Sequence, residues 1–493
     1  MRKRFEQVHE LDAMCIPDVK IDKKSRHELP QLLAGLQYIF VTPSLNEKVF
    51  KILEDKILSS NNHTGRLGMS LWEILVLGTM RLNLDIDYDF LHDQANHHLT
   101  VRGILGVYTK QVFGEGKYYE LQTIKDNVAL LDELTLQEIS EVVVKAGHSL
   151  KKNIEEDLVL NLKSDSYAVE SNVHFPTDIN LLWDSGRKCL DMIVTADKHV
   201  GLQGWRKLMY WMKKLKKSYR RVANIHQKKG KGYHERLQRA ASQYLVVARE
   251  LDNRVVKSLE ELKSSPNVLA FALEQRLNYF QKMLCKHIDL LERRIIKGEK
   301  IPHAEKIFSI FEPHVEWNQK GKANNKVELG HNVLLTTDQY HFIVDHKVMV
   351  GESDTAQPID LLSRLEERFK EDYKLASISF DRGFYSALAK KALEKKIENV
   401  IIPFKGKKTS EQTEQENEQT FKAFRNKHSA VESNINELEH TGVNKVPDKG
   451  LTGFKKYVAM GVLAYNIRRL GKIVIAQKLI NTLIEPKGFK RAA

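Results

Sequence analysis

Three carboxylates occupy positions from which phosphoryl-transfer chemistry could be done: Asp165, Asp381 and Glu432. Asp165 sits in Ser164-Asp165-Ser166, where the alternating run Leu158 to Lys163 stops. Asp381 ends the apolar run Ala376 to Phe380 and begins Asp381-Arg382-Gly383-Phe384-Tyr385-Ser386, a turn leading into a helix. Glu432 falls on a helical pattern from Ser429 to Glu439, with Asn436 and Glu439, away from the apolar stripe Val431, Ile435 and Leu438. Oxygen donors with no Cys or His partner suit hard cations, Mg²⁺ or Mn²⁺. Two such ions, on the order of 3.5–4 Å apart, activate an attacking oxygen and stabilise a leaving one. A lone Asp is usually an N-cap or a surface charge; the order strand, strand, helix singles out these three. Asp178 and Asp184 are rivals for the place of Asp165.

The elements that must position them follow from periodicity. Residues 1–150 read as helical, with capping boxes at Ser70-Leu71-Trp72-Glu73 and Thr135-Leu136-Gln137-Glu138. Tyr88 to His98 and Leu99 to Leu105 read as short helices, and with the entry Gly65-Arg66-Leu67-Gly68 they suggest a helix-turn-helix-like DNA reader. A strand to Lys163 and a second from Ala168 to Phe175 come next, stopped by Pro176. From about 198 to 300 the pattern is helical, as in Leu284, Ile288 and Leu291. Strand signals return at Val327–Leu335, His341–Val350, Ala376–Phe380 and Val400–Pro403, with helices at Pro358–Phe369 and Ser386–Lys396. Residues 405–420 hold no apolar side chain and read as a polar loop. An apolar helix, Phe454 to Leu479, closes the pattern. Alternating strands and helices interrupted by a helical block predict an α/β sheet with an insertion, its site at strand C-termini.

The chain has 493 residues, 42% hydrophobic and 29% charged, which excludes a mainly disordered or collagen-like protein. Lys and Arg number 78 against 64 Asp and Glu, a formal net charge of +14. Residues 201–250 hold 14 basic and 2 acidic residues, so this segment carries +12 and the other 443 residues +2. Its cations include Lys213, Lys214, Lys216, Lys217, Arg220, Arg221, Lys228 and Lys229, interleaved with Trp205, Tyr210, Trp211 and Tyr219. Basic side chains neutralise phosphates and aromatics stack on unpaired bases, so a nucleic acid is the expected partner. No apolar run is long enough to span a bilayer and no secretory h-region follows Met1, so a cytoplasmic, nucleoid-associated protein is expected. Cys15, Cys189 and Cys285 lie far apart and are expected to be buried free thiols.

These motifs resemble the DDE transposases of bacterial insertion sequences, nearest the ISNCY-type group. The stretch from Lys163 to Asp178 resembles the first-Asp block, and Asp381 to Ser386 the second. Glu305–Ser309, Lys320–Lys322 and Val327–His331 resemble the middle block, and His428–Glu439 the Glu helix. Residues 65–106 are similar to an InsH-type N-terminal transposase domain. Around the Glu, Arg425, His428 and Glu439 stand where related chains often carry Tyr, Arg and Lys.

The resemblance implies an α/β ribonuclease-H-like catalytic core with an all-α N-terminal domain and a large helical insertion. In residue terms this is a helical DNA-binding domain at 1–150, core at 151–197, basic insertion at 198–300, core at 301–475 and a tail at 476–493. It implies that Asp165, Asp381 and Glu432 hold two Mg²⁺ (or Mn²⁺) ions. The partners implied are double-stranded DNA, both element ends and target, and a second copy of the chain in a dimer or larger synaptic complex. Arg382 and Lys405 are expected to clamp phosphate, with Lys407 and Lys408 equally basic, and Arg66 to contact DNA. The alternatives are a DNA-binding derivative without chemistry and a metal-dependent nuclease of the same fold.

Overall fold

Ser70 opens its helix as the sequence requires: its hydroxyl accepts from the Glu73 N–H (3.3 Å) and the Glu73 carboxylate accepts from the Ser70 N–H (2.8 Å). In this computed structural model, which describes residues 2–5, 14–58, 68–107, 117–151, 159–319, 327–369 and 373–484, that helix is the third of seven. They are α1 (Glu28–Val41), α2 (Pro43–Ile57), α3 (Leu71–Asn83), α4 (Tyr88–His97), α5 (Leu99–Ile104), α6 (Leu121–Val128) and α7 (Glu133–Lys151). α7 starts two residues before the expected Thr135 box. Asp132 is the residue that accepts from the Thr135 N–H (2.8 Å) and hydroxyl (2.7 Å), and Thr135 is buried inside the first turn.

A single long strand, β1 (Val159–Ser171), follows. Two strands broken at Ser164-Asp165-Ser166 are expected from the turn preference of Ser and Asp. The structure overrides that preference because every residue from Lys163 to Glu170 is paired with β3 across an unbroken antiparallel register.

The chain then forms α8 (Asp178–Val200), α9 (Leu208–Gln227), α10 (Tyr233–Ser264) and α11 (Val268–Leu291). It continues through β2 (Glu316–Gln319), β3 (Val327–Thr337), β4 (Ile343–Val348), α12 (Gln357–Phe369), β5 (Lys374–Phe380), α13 (Ala387–Glu394) and β6 (Asn399–Ile401). Last come α14 (Ser410–Asn417), α15 (Gln419–His428), α16 (Ala430–Leu438), β7 (Lys445–Val446) and α17 (Gly450–Ile484). The expected loop at 405–420 is largely helical. Thr409 and Gln412 form a capping box, and the Glu416 carboxylate anchors the turn by accepting from the Phe404 N–H (2.8 Å) and pairing with Lys408 (2.5 Å). Gln and Glu form helices well without an apolar stripe.

Two compact units result: residues 1–172 with 318–493, and residues 173–317. The helical unit is therefore longer than the expected 198–300 and includes α8. The seven N-terminal helices do not separate from the sheet as a 1–150 domain, because α17 packs against α1, α3, α7 and β4. The crossing of α1 and α17 is close enough that a Cβ on Gly471 would lie 1.8 Å from the Gln31 carbonyl oxygen. Buried Asn466 ties α17 to the sheet edge, accepting from the Ile343 N–H (2.9 Å) and donating to the Ile343 carbonyl (2.8 Å).

The seven-stranded mixed sheet runs β2-β3-β1-β5-β6, with β4 also on β3 and β7 also on β1. β3 and β4 are antiparallel to their neighbours, whereas β1, β5 and β6 are mutually parallel. Among the described residues no helix is long and apolar enough to cross a membrane.

The unit of residues 173–317 is a helical bundle whose own core includes Leu190, Leu215, Tyr244, Leu251 and Leu284. Cys189 is buried there, whereas Cys15 and Cys285 are exposed, contrary to the expectation for all three.

Candidate active site

The parallel ladder of β1 with β5 ends at the pair Ser164–Phe380. Asp165 and Asp381 are the next residues on the two strands, so the register itself brings them side by side. Asp165 is not a strand end. It lies mid-strand in β1, paired with Leu335 of β3 on its other side. The chain after Phe380 turns away through the 3-10 turn Arg382–Phe384. β7 pairs with β1 only from Glu170. The edge of β1 from Asp165 to Val169 is thus open on the β5 side among the described residues.

α16 packs against β1 and β3 and carries Glu432 in its first turn. Its buried stripe is Val431, Ile435 and Leu438, and Asn434 fixes its depth by donating to the Tyr465 hydroxyl (2.9 Å). Glu432 itself is exposed. His428, the last residue of α15, is buried; its Nδ1 lies 2.9 Å from Ser379 Oγ on β5 and its Nε2 3.9 Å from Asp381 Oδ1.

The charges of these groups act on Asp165 and on His428. Burial pushes the Asp165 carboxyl up to about 6, and the charges of Asp381, Asp354 and Glu432 push in the same direction, against a hydrogen bond from the Ser166 N–H (2.7 Å). Burial lowers His428, opposed by Asp381 and Glu432. Asp354 was not singled out by sequence. It lies in a short turn before α12, where an Asp is ordinary, and it enters the site by accepting from the Ser166 hydroxyl (3.0 Å). Lys163 was also missed. Two residues before Asp165, it shares that face of β1 and donates from Nζ to the Asp338 carbonyl (3.1 Å). Burial lowers its pKa.

The rival aspartates belong to the helical unit and have cation partners there. Asp178 pairs with Arg294 (2.9 Å), and Asp184 with His174 (3.2 Å) and Arg187 (3.6 Å).

The donors fit a hard divalent cation in kind: carboxylate oxygens from β1, from the end of β5 and from α16, with a raised Asp165 that a positive charge would lower again. They do not form a closed cage. Among the described residues no three His, Cys, Asp or Glu side chains converge as a metal site. Asp381 has 64% of its side chain exposed, and Glu432 is exposed.

Of the expected phosphate contacts, Arg382 follows Asp381 directly and is exposed, as are Lys405 and Lys407, while Lys408 is held by Glu416. Arg66 and Lys320–Lys322 lie outside the described residues. α3 is buried along its whole length, which removes it as a groove-reading helix.

In the helical unit, Lys213, Lys216, Lys217, Arg220, Arg221, Lys228 and Lys229 are exposed. Lys214 differs: it pairs with Glu250 (2.5 Å) and lies over the Trp211 ring, 4.8 Å from its centroid. The interleaved aromatics are mostly structural. Trp205 is buried and donates from Nε1 to Ser258 Oγ (2.7 Å), Trp211 is buried, and Tyr219 stacks on Trp183 with centroids 5.4 Å apart. Tyr210 is the exposed one of the four.

Compared with protein-family profiles, with curated proteins and with solved structures, the chain matches none.

Proposed function

We propose that this protein is a DDE-type DNA transposase, cutting the ends of its element and joining the freed 3′-hydroxyls to target DNA. One observation carries the reading: the parallel register of β1 with β5 sets Asp165 and Asp381 at adjoining positions, and α16, packed on β1, carries Glu432. The sheet supports it. A central carboxylate-bearing strand, antiparallel to β3 on one side and parallel to β5 on the other, is compatible with the ribonuclease-H-like core that the sequence resemblance implies.

Asp165, Asp381 and Glu432 would hold Mg²⁺ or Mn²⁺. Two such ions, when bound, supply activation of the attacking oxygen and charge stabilisation of the leaving one. The chain's own contribution is placement. β1 and β5 fix the two aspartates by register, and α16 brings the third acid from the side. Arg382, adjacent to Asp381 and exposed, is available to a DNA phosphate. In the first reaction an oxygen of water bonds to phosphorus as that phosphorus loses its bond to the element's terminal 3′ oxygen, which leaves a 3′-hydroxyl on the element and a 5′-phosphate on the flanking DNA. In the second the element's 3′-oxygen bonds to a target phosphorus as that phosphorus loses its bond to the target strand's 3′ oxygen, which leaves as a hydroxyl. Neither requires a covalent bond to the protein. The cations of α9 and the turn that follows it are the DNA-gripping surface in this reading, through phosphate neutralisation rather than base stacking. A synaptic dimer or larger assembly joins the two ends.

The test incubates purified protein with labelled DNA from either side of its own gene and Mg²⁺, comparing wild type with Asp381→Asn. The proposal expects cleavage at the element ends by wild type. It expects a loss of more than about 10²-fold in the variant, beyond what outer-shell partners of a metal cost. Equal cleavage by both removes the site assignment. Binding without cleavage by wild type favours a DNA-binding derivative.

A further inference from the structure

The imidazole of His428 is not accounted for by three carboxylates. It is 9% exposed, and its Nε2 has no hydrogen-bond partner. That atom faces the site, with Asp381 Oδ1 as its nearest acid at 3.9 Å. Ser379 Oγ, which also contacts the Leu162 carbonyl (3.4 Å), lies 2.9 Å from Nδ1 of His428 and holds the ring. In the tautomer protonated at Nδ1, Nε2 presents its lone pair toward the acids. A ring whose far N–H is fixed by a hydrogen bond while its near nitrogen is unprotonated is the usual state of a metal-ligating histidine.

His428 ends α15 and Glu432 lies in the first turn of α16. The residue between the helices, Ser429, keeps right-handed helical backbone (φ −55°, ψ −18°). The two residues are four apart in the chain, and the charge of Glu432 acts on the His428 ring. β5 supplies the remaining anchor points: Ser379 holds the ring, and Asp381, two residues on, stands beside its free nitrogen.

We infer that His428 is a nitrogen ligand of the divalent cation held by Asp165, Asp381 and Glu432, and that it shifts the site's preference from Mg²⁺ toward Mn²⁺. This inference rests on the proposed metal-dependent reading of the same site. A mixed imidazole and carboxylate set binds Mn²⁺ better than Mg²⁺, which favours oxygen ligands and retains its water. Ser379 is a positioning residue that sets the ring's tautomer and angle.

The experiment is pulsed electron paramagnetic resonance of Mn²⁺ added to the full-length protein, together with Mn²⁺ titration of wild type, His428→Gln, Ser379→Ala and Asp381→Asn. The inference expects ¹⁴N modulation from a directly bound imidazole in wild type. It expects that signal to vanish in His428→Gln, with Mn²⁺ binding weakened by about 10-fold or more and Mg²⁺ binding changed less. In Ser379→Ala the signal persists with altered coupling. The wild-type spectrum needs no variant, so a misfolded substitution cannot decide the matter. Mn²⁺ that depends on Asp381 but shows no ¹⁴N coupling overturns the role of His428 and leaves the carboxylate site standing. Mn²⁺ binding unaffected by Asp381→Asn, or no binding at all, overturns the metal site and this inference with it.

Discussion

The sheet unit and the helical unit handle charge in opposite ways. At the sheet, burial raises Asp165 to about 6, and the neighbouring charges of Asp381, Asp354 and Glu432 push the same way. In the helical bundle, cations are spread over a solvent-facing surface above an apolar core, and on α9 only Lys214 is drawn into an ion pair among the described residues. In the proposed function the acidic site would gain by binding a cation, and the exposed cations would neutralise phosphates of a long polyanion at little cost to the fold.

The contrast is broken most severely through the aromatics of the basic segment. Trp211 is a core residue, with Lys214 and Arg254 each 4.8 Å from its ring centroid. Trp211→Ala should cost about 3–5 kcal/mol in the stability of the helical unit, whereas Tyr210→Ala should cost well under that. Chemical denaturation of both variants checks it, and equal losses would mean that Tyr210 is also structural.

The acidic site gives a smaller effect of opposite sign. A folded carboxyl near 6, against an unfolded value near 3.9, destabilises the native state above pH 6 and has no such effect below about pH 4. Asp165→Asn keeps the acceptor for the Ser166 N–H and removes the charge. In chelator at pH 7 it should stabilise the protein by about 2 kcal/mol, and at pH 4 by nothing. Urea unfolding at the two pH values reads this directly. A gain of the same size at both would show that ionisation of buried Asp165 is not the cause.

The smallest stability effect belongs to the surface. Lys213, Lys216 and Lys217 changed together to Gln should leave unfolding within about 0.5 kcal/mol of wild type. The slope of log affinity for DNA against log salt should fall by about 3. Lys214 is omitted because Glu250 and Trp211 hold it. An unchanged salt slope would remove this surface from DNA binding.

Much of this arrangement is readable from residue order. The strand ending at Phe380, the helix carrying Glu432, and the long terminal helix are where hydrophobic period puts them, because each has an apolar stripe or run that only one packing satisfies. The +12 segment was equally plain. What sequence could not supply is what distant partners decide. Ser164-Asp165-Ser166 reads as a turn until β3 is there to pair with it. Residues 405–420 read as loop because a polar helix anchored by Glu416 leaves no hydrophobic period. Asp354 depends on a contact from Ser166, far from it in the chain, and has no local signal; His428 stands out in the Glu-helix block, but its contact with Ser379 is not readable there.

The central claim is that the acidic edge of the sheet performs both strand cleavage and strand joining. The most direct measurement supplies pre-cut element-end DNA with a labelled 3′-hydroxyl, a supercoiled plasmid and Mg²⁺, and follows label entering the plasmid. The account predicts joined product with wild type and none with Glu432→Gln, although both bind the end DNA. Bound pre-cut ends that are never joined by wild type, or joining that survives in Glu432→Gln, would contradict it.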